Sequence, residues 1–420
     1  MRLLFLTHYY PPETGAASNR ISDLAERLAS FGHQVTVLAP MPNYPQGRTF
    51  KDYRGRCLME EQRQDVRVVR TWIYATSSEG IVRRLLNYFS FVFTSLVGAV
   101  VKVDRQDVVF VASPPLFLGI SGLFLKWFWR TRMVFNVSDL WPKSAVELGV
   151  VRNPRLIRMA SALESALYQH SDLVTGQTQG IVTDVQGRTR TPVLLWTNGV
   201  DPSSIVANGN REKARQKFGL GPSDFVVGYA GLHGLAQGLG SVLAAAEDIR
   251  GRRDIKFVFF GDGPERKQLM KIAEHRRLEN VKFFPTQPKS HMPEIMSAID
   301  VSLVPLRRLE LFKGALPSKM FEAMGAGVPV IVSIEGEAKD LVERARGGVC
   351  VPPEDPRALV EAVLFLREHP EQCQRMGTNG KQFISAHYDR RLIARHVELA
   401  LSGLMAPASP NAAIAVSSGQ

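Results

Sequence analysis

Short apolar runs alternate with stretches of helical period along most of this chain, and the series occurs twice. Leu3 to Thr7, Gln34 to Ala39, Val66 to Thr71, Val108 to Ala112, Arg132 to Val137 and Leu173 to Thr175 read as strands, and Val193 to Trp196 closes the first series. The second comprises Val226 to Ala230, Lys256 to Phe260, Val281 to Phe284, Val301 to Val304 and Val328 to Val332. The runs are too short for helices, and most are separated by helical segments such as Ser18 to Phe31. Strand–helix alternation builds a parallel sheet with helices on its faces. At 420 residues the chain exceeds one ordinary domain, and a hydrophobic fraction of 45% can fill more than one core. The prediction is an α/β protein of two Rossmann-like, doubly wound domains, 1–197 and 198–385, hinged at Asn198-Gly-Val-Asp201. The last residues, 405–420, are small, polar and uncapped, as in disordered tails.

Cys57, Cys350 and Cys373 lie far apart, without metal or redox spacing, which fits a reducing compartment. Met1-Arg2 leads straight into an apolar run too short for a secretory signal, so a cytoplasmic location is expected. Net charge is +12, of which +8 falls in residues 1–200. A basic chain can meet nucleic acid, acidic lipid or phosphorylated substrate. No module of interleaved basic and aromatic residues is present, so no nucleic-acid partner is expected. The cations of the first half instead flank two apolar stretches, Arg83 to Lys102 and Pro114 to Arg132. Each nears the ~20 residues that span a bilayer. Three structures fit them: a transmembrane helix, a buried core helix, or a helix lying in the membrane interface. Asn87 and Lys126 inside the runs weigh against spanning. The Trp127/Trp129 pair, with Arg83, Arg84, Lys126, Arg130 and Arg132 at headgroup positions, favours peripheral attachment.

Ala315 to Ser333, ALPSKMFEAMGAGVPVIVS, reads as a loop, a helix opened by Pro317 with Ser318 as its cap, a glycine-marked turn and a strand. A helix N-terminus attracts phosphate, Lys319 adds a full charge there, and Glu322 one turn on can accept ribose hydroxyls. An ordinary amphipathic helix with solvated Lys and Glu fits the same residues. The segment resembles the nucleotide-sugar motif of retaining glycosyltransferases of family 4, in the bacterial subgroup with a Pro-Ser-Lys-x-x-Glu variant. Tyr9 to Arg20, Ser138 to Gly149, Gly228 to Leu239 and Asn198 to Asp201 agree with it, in order. The similarity extends to polysaccharide transferases of the WbuB type, which resemble L-fucosamine transferases. It implies the GT-B arrangement, two Rossmann-like domains facing across a cleft. The first would bind acceptor and the second nucleotide-sugar, with a helix at 386–404 crossing back to the first.

The remaining site residues follow from the loops after strands, where α/β sheets bind ligands. Gly15 sits where the resembled family closes a loop over donor phosphate and acceptor, although it also fits a plain turn. Glu13 and Arg20 beside it are candidates for acceptor binding, or a surface ion pair. Ser138 stands where many family members have His, which leaves Asp139 as the carboxylate to orient or deprotonate an acceptor hydroxyl, or as a helix N-cap. His233 and Gln237 stand near the family's usual Arg and Lys, while Gly231 and Gly234 could free backbone N–H groups for phosphate. Lys313 and Lys319 are the candidates for the missing positive charge. Gly314 replaces the first Glu of the family's Glu-x7-Glu, and Glu322 matches the second. Gly261-Asp-Gly263 reads as a structural turn. No Asp-x-Asp or His/Cys cluster occurs, so neither metal nor other cofactor is expected. The implied reaction moves a sugar, by resemblance an N-acetylated deoxyhexosamine on UDP, to a lipid-linked saccharide at the inner face of the plasma membrane. A nucleotide-sugar 2-epimerase and a non-catalytic scaffold of a polysaccharide assembly complex are the alternatives.

Overall fold

The computed structural model describes residues 1–77, 80–147, 151–201 and 210–406, and the chain divides into two compact units. Unit 1 comprises Met1–Gln177, Ile181–Trp196 and the chain from Ile393; unit 2 comprises Thr178–Gly180 and Thr197–Leu392. Leu148 and Gly149 of the Ser138–Gly149 segment lie outside the described residues, as does the expected tail from 407.

Unit 1 holds eight strands: β1 (Arg2–Leu6), β2 (Gln34–Pro40), β3 (Leu58–Arg63), β4 (Val66–Thr71), β5 (Val108–Ser113), β6 (Arg132–Val137), β7 (Leu173–Gly176) and β8 (Val193–Leu195). Their order is β3-β4-β2-β1-β5-β6-β7-β8. All neighbours run parallel except β3, which is antiparallel to β4. Leu3 pairs with Val35 on one side and Val108 on the other, in a sheet whose central strands are buried on both faces. Such strands read as continuous apolar runs, which is why they were visible in sequence. One face packs against Ile21, Leu24 and Leu28 of α1 (Ala16–Ser30), joined by Ala394, Val397 and Leu401. The other packs against Phe91 and Ala99 of α2 (Ile81–Lys102) and against Leu118 and Leu125 of α3 (Leu118–Trp129).

Strand β3 escaped the sequence reading because its LMEEQR pattern alternates and carries charge, as antiparallel edges do. Its Glu61 accepts from Arg70 Nη2 at 2.8 Å, and Arg70, fully buried, also donates to the carbonyls of Pro11 and Pro40. That buried pair ties the edge hairpin to the loops after β1 and β2. The closing helix spans Arg390–Met405 rather than starting at 386, because the preceding helix continues from Pro370 to His387. It also runs one residue into the expected tail. Within unit 1 its Arg395 guanidinium lies 3.5 Å from the Phe31 ring centroid, and Glu398 meets His33 at 3.0 Å.

Unit 2 repeats the plan with six parallel strands: β9 (Phe225–Ala230), β10 (Ile255–Phe260), β11 (Val281–Phe284), β12 (Val301–Pro305), β13 (Val330–Ser333) and β14 (Gly348–Cys350). The order is β11-β10-β9-β12-β13-β14, so the sheet switches direction at β9 and β12, where open α/β sheets bind ligands. The three-residue β14 was not expected from sequence, being too short to carry a periodic signal.

His8, in the loop after β1, is buried among Tyr9, Tyr88 and Phe91, with ring centroids 5.0 to 5.6 Å away. Burial lowers its pKa from 6.5 to about 4, against a hydrogen bond to Asn87 that raises it. The folded chain therefore refuses a proton that the unfolded chain accepts, and stability falls as pH drops from 6.5 toward 4. The loss is on the order of 3 kcal/mol at the low end of that window. Urea midpoints should fall between pH 7 and pH 4.5, and His8→Leu should flatten the slope; a wild-type profile with no slope there would contradict this reading.

Candidate functional site

In unit 2 the helix Ser318–Gly325 follows the loop that carries Lys313 and precedes β13. Ser318 is its first residue rather than its cap: Pro317 occupies the cap position and no side chain caps the helix. That leaves the N-terminal N–H groups without a side-chain partner of the capping kind. Met320, Phe321, Ala323 and Met324 anchor the helix in the core, which turns Ser318, Lys319 and Glu322 to its less buried side. Asn198, of the Asn198–Asp201 segment, donates to Leu316 O at 3.0 Å and fixes the loop leading in.

Lys319 is the most perturbed group of this cluster. Its Nζ lies 4.0 Å from the Tyr229 ring centroid and donates to Tyr229 Oη at 2.9 Å. The Tyr229 hydroxyl in turn donates to Leu232 O at 2.6 Å. Burial lowers the Lys319 pKa from 10.5 to about 7, while the Glu322 carboxylate pulls it back up. A lysine so placed exchanges its proton near neutrality and becomes fully charged when an anion arrives. Tyr229, at the end of β9, was missed in sequence; an aromatic two residues before Gly231 was the available signal.

The loop after β9 is built by close backbone approach. A Cβ at Gly231, whose φ is +153°, would lie 3.0 Å from Lys319 Nζ. One at Gly261 would lie 1.9 Å from Gly231 O, so the Gly261-Asp-Gly263 turn lies directly against the loop. The N–H groups expected to cradle phosphate are already used: Gly231 donates to Phe260 O at 2.9 Å and Gly234 to Gln237 Oε1 at 3.1 Å. Gln237 thus closes its own loop. His233, near the family's usual cation position, points into the fold. Its imidazole is fully buried beside Tyr229, Phe259 and Phe283, and desolvation with nearby Arg266 lowers its pKa to about 4. Lys313 is exposed and paired with Glu310 at 2.7 Å and Glu335 at 3.7 Å, so its charge is already balanced.

In unit 1 the acceptor assignments of Glu13 and Arg20 are corrected, because both side chains are buried. Glu13 accepts from the N–H groups of Asn43 at 2.7 Å, Tyr44 at 2.8 Å and Tyr10 at 3.4 Å, joining the loops after β1 and β2. Arg20 donates to Asn136 Oδ1 at 2.9 Å and Ser138 Oγ at 2.6 Å, with its guanidinium 4.2 Å from the Trp196 ring centroid. They are not an ion pair of the surface. Ser138 is therefore held by Arg20, and Asp139 follows it at the end of β6. Asp139 is half-buried and accepts from Ser144 Oγ at 2.8 Å; burial holds its carboxyl above the usual range, which makes it a stronger base. Gly15 precedes α1 in extended backbone, 3.7 Å from Tyr44 where a Cβ would stand. No cluster of three metal-ligating side chains occurs among the described residues.

Two sequence families match in tandem. A glycosyl transferase 4-like domain covers residues 15–199, and the glycosyl transferases group 1 cover residues 210–383. The chain is 26% identical over 383 residues to the protein named as colanic acid biosynthesis glycosyl transferase WcaI of Escherichia coli K12, covering 88% of this chain and 93% of that one. Among solved structures, sucrose-phosphate synthase from Thermosynechococcus elongatus superposes with a TM-score of 0.77 at 17% identity, covering 96% of this chain and 99% of that one. HepE of Anabaena, solved in complex with UDP and glucose, gives 0.71 at 20% identity, covering 96% and 100%. With its two parallel-sheet units, the chain belongs to the glycosyltransferases of GT-B fold.

Proposed function

We propose that the protein is a retaining, metal-independent transferase that moves a sugar from a UDP donor to a lipid-linked saccharide during cell-surface polysaccharide synthesis. The observation that carries this reading is Lys319, held on the Tyr229 ring at the N-terminus of an uncapped helix with Glu322 one turn further on. Unit 2 would bind the donor and unit 1 the acceptor, with catalysis on the cytoplasmic face of the plasma membrane. The similarity to WcaI, a colanic acid biosynthesis glycosyl transferase, supports the pathway class, and the UDP complex of HepE supports the nucleotide. An N-acetylated deoxyhexosamine as the donor sugar follows the WbuB-type resemblance of the Ala315–Ser333 motif.

In this scheme the sugar–phosphate bond breaks with its electrons passing to the diphosphate. The Lys319 ammonium and the helix N-terminus balance the charge that develops there. Ser318 and Glu322 would contact phosphate and ribose. The acceptor oxygen would form the new bond to the anomeric carbon while its proton passes to the departing phosphate oxygen, with Asp139 orienting the hydroxyl. Because the free lysine is only partly protonated near pH 7, donor binding takes up a proton and weakens as pH rises.

Purified protein incubated with bacterial membranes and a panel of UDP-, GDP- and dTDP-sugars should transfer label to extractable lipid from a UDP-sugar only. Donor conversion without lipid would indicate the 2-epimerase instead. Lys319→Ala should lower kcat/KM by about 10²-fold or more, the usual scale for losing one such group, and full activity would remove Lys319 from the mechanism. Tyr229→Phe keeps the ring but removes the hydroxyl between Lys319 and Leu232 O. It should cost about 1 kcal/mol of unfolding free energy and steepen the loss of UDP affinity above pH 7. An unchanged pH dependence in that variant would mean the hydroxyl does not hold the amine.

A further inference from the structure

We propose that α2 and α3 together form a membrane-docking face that inserts their outward apolar side chains into an anionic bilayer interface without crossing it. The proposal deepens the transferase reading, by specifying how unit 1 reaches a lipid-linked acceptor, but its test requires no sugar donor. On α2, Val82, Leu86, Phe89, Phe93, Val97, Val100 and Val101 are all exposed, from 43% to 68%. Spaced by three and four residues, they form one stripe along the helix. On α3, Ile120, Phe124, Trp127 and Phe128 form a second stripe, with Trp127 75% exposed. The two helices are fastened together by Ser121 Oγ, which donates to Val92 O at 3.0 Å, and by the Ser95–Ser121 hydroxyl contact at 3.0 Å. Trp72 and Tyr74, exposed at 43% and 37%, extend the face, since Thr94 donates to Trp72 O and Tyr74 N–H to Ser90 Oγ. Thirteen large apolar side chains exposed on neighbouring elements are more than the singly scattered apolar residues that a surface normally carries.

Charge selects the occupant. Residues 80–103 and 114–132 contain Arg83, Arg84, Lys102, Lys126, Arg130 and Arg132 and no Asp or Glu. Arg83, Arg84 and Arg130 are exposed at the ends of the helices, where they can meet lipid phosphates. Lys126 is instead bound to Asp172 at 2.7 Å and to His170 O, and Arg132 to the same Asp172, so those two are structural. Spanning is opposed by the inward side of α2. Although Val82–Lys102 is long and apolar enough to cross a membrane by length and composition, Phe91 and Ala99 belong to the core on the sheet. Asn87, buried, donates to Tyr74 O at 2.8 Å. Pulling the helix into a bilayer would strip the sheet; laying its outer stripe into the interface leaves those contacts intact.

Full-length protein should co-sediment with vesicles of phosphatidylcholine containing phosphatidylglycerol, and much less with phosphatidylcholine alone. Phe93→Glu combined with Trp127→Glu should reduce the partition coefficient by roughly tenfold or more, the scale of losing one buried aromatic side chain. Arg83→Glu with Arg84→Glu should reduce binding to the anionic vesicles selectively. UDP binding by each variant reports an intact fold, so loss of vesicle binding with UDP binding retained supports the docking face. Wild-type-like vesicle binding by the Phe93/Trp127 variant would overturn it. So would a protein that stays in the supernatant as a dimer dissociated by those same substitutions, since a second copy would then be the occupant. Failure to bind UDP with normal vesicle binding would count against the transferase reading and leave the docking face standing.

Discussion

An ammonium group resting on an aromatic ring, beneath backbone that leaves no room for a side chain, organises the carboxyl end of the second sheet. Lys319 meets Tyr229 in space that a Cβ on Gly231 would crowd at 3.0 Å, and Gly231 lies where it does because Gly261 allows its carbonyl to pass. Tyr229 is buried at the switch point of the sheet and spends its own proton on Leu232 O, so its oxygen is free to accept from the lysine. Desolvation of the amine is the cost of this arrangement, visible as a pKa near 7. Such a group is only partly charged near neutrality and gains charge when an anion approaches it.

How much of this could be read from the chain depended on whether a residue's role is set locally. The buried parallel strands were legible because both faces demand apolar side chains, and the Ser318–Glu322 spacing was legible because one helix fixes it. The acceptor roles read for Glu13 and Arg20 came from loop positions that give no sign of burial. Sequence does not show that Glu13 takes three backbone N–H groups or that Arg20 spans to Asn136 across the sheet. Lys313 carried the right charge, but its partners Glu310 and Glu335 come from either side of the Ser318–Gly325 helix. Tyr229 looked like any strand aromatic until Lys319 was seen against it.

The apolar stretches of the first unit show a different limit. Core helix and interfacial helix were competing readings, and α2 carries features of each: Phe91 and Ala99 pack on the sheet while Phe93 and Val97 are exposed. With large apolar side chains on its exposed side as well as on its sheet-facing side, α2 does not reveal in sequence which of them meet the core. The same packing reassigns Asn87 and Lys126, which looked like polar defects in a membrane segment and are satisfied by Tyr74 O and Asp172.

The titration of Lys319 tests the central claim most directly. Lysine side-chain NMR, assigned by the signal lost in Lys319→Arg, should show a group titrating near pH 7 in the free protein and moving up by more than a unit when UDP is added. A Lys319 that titrates near its ordinary 10.5 in the free protein, or that ignores UDP, would contradict the account.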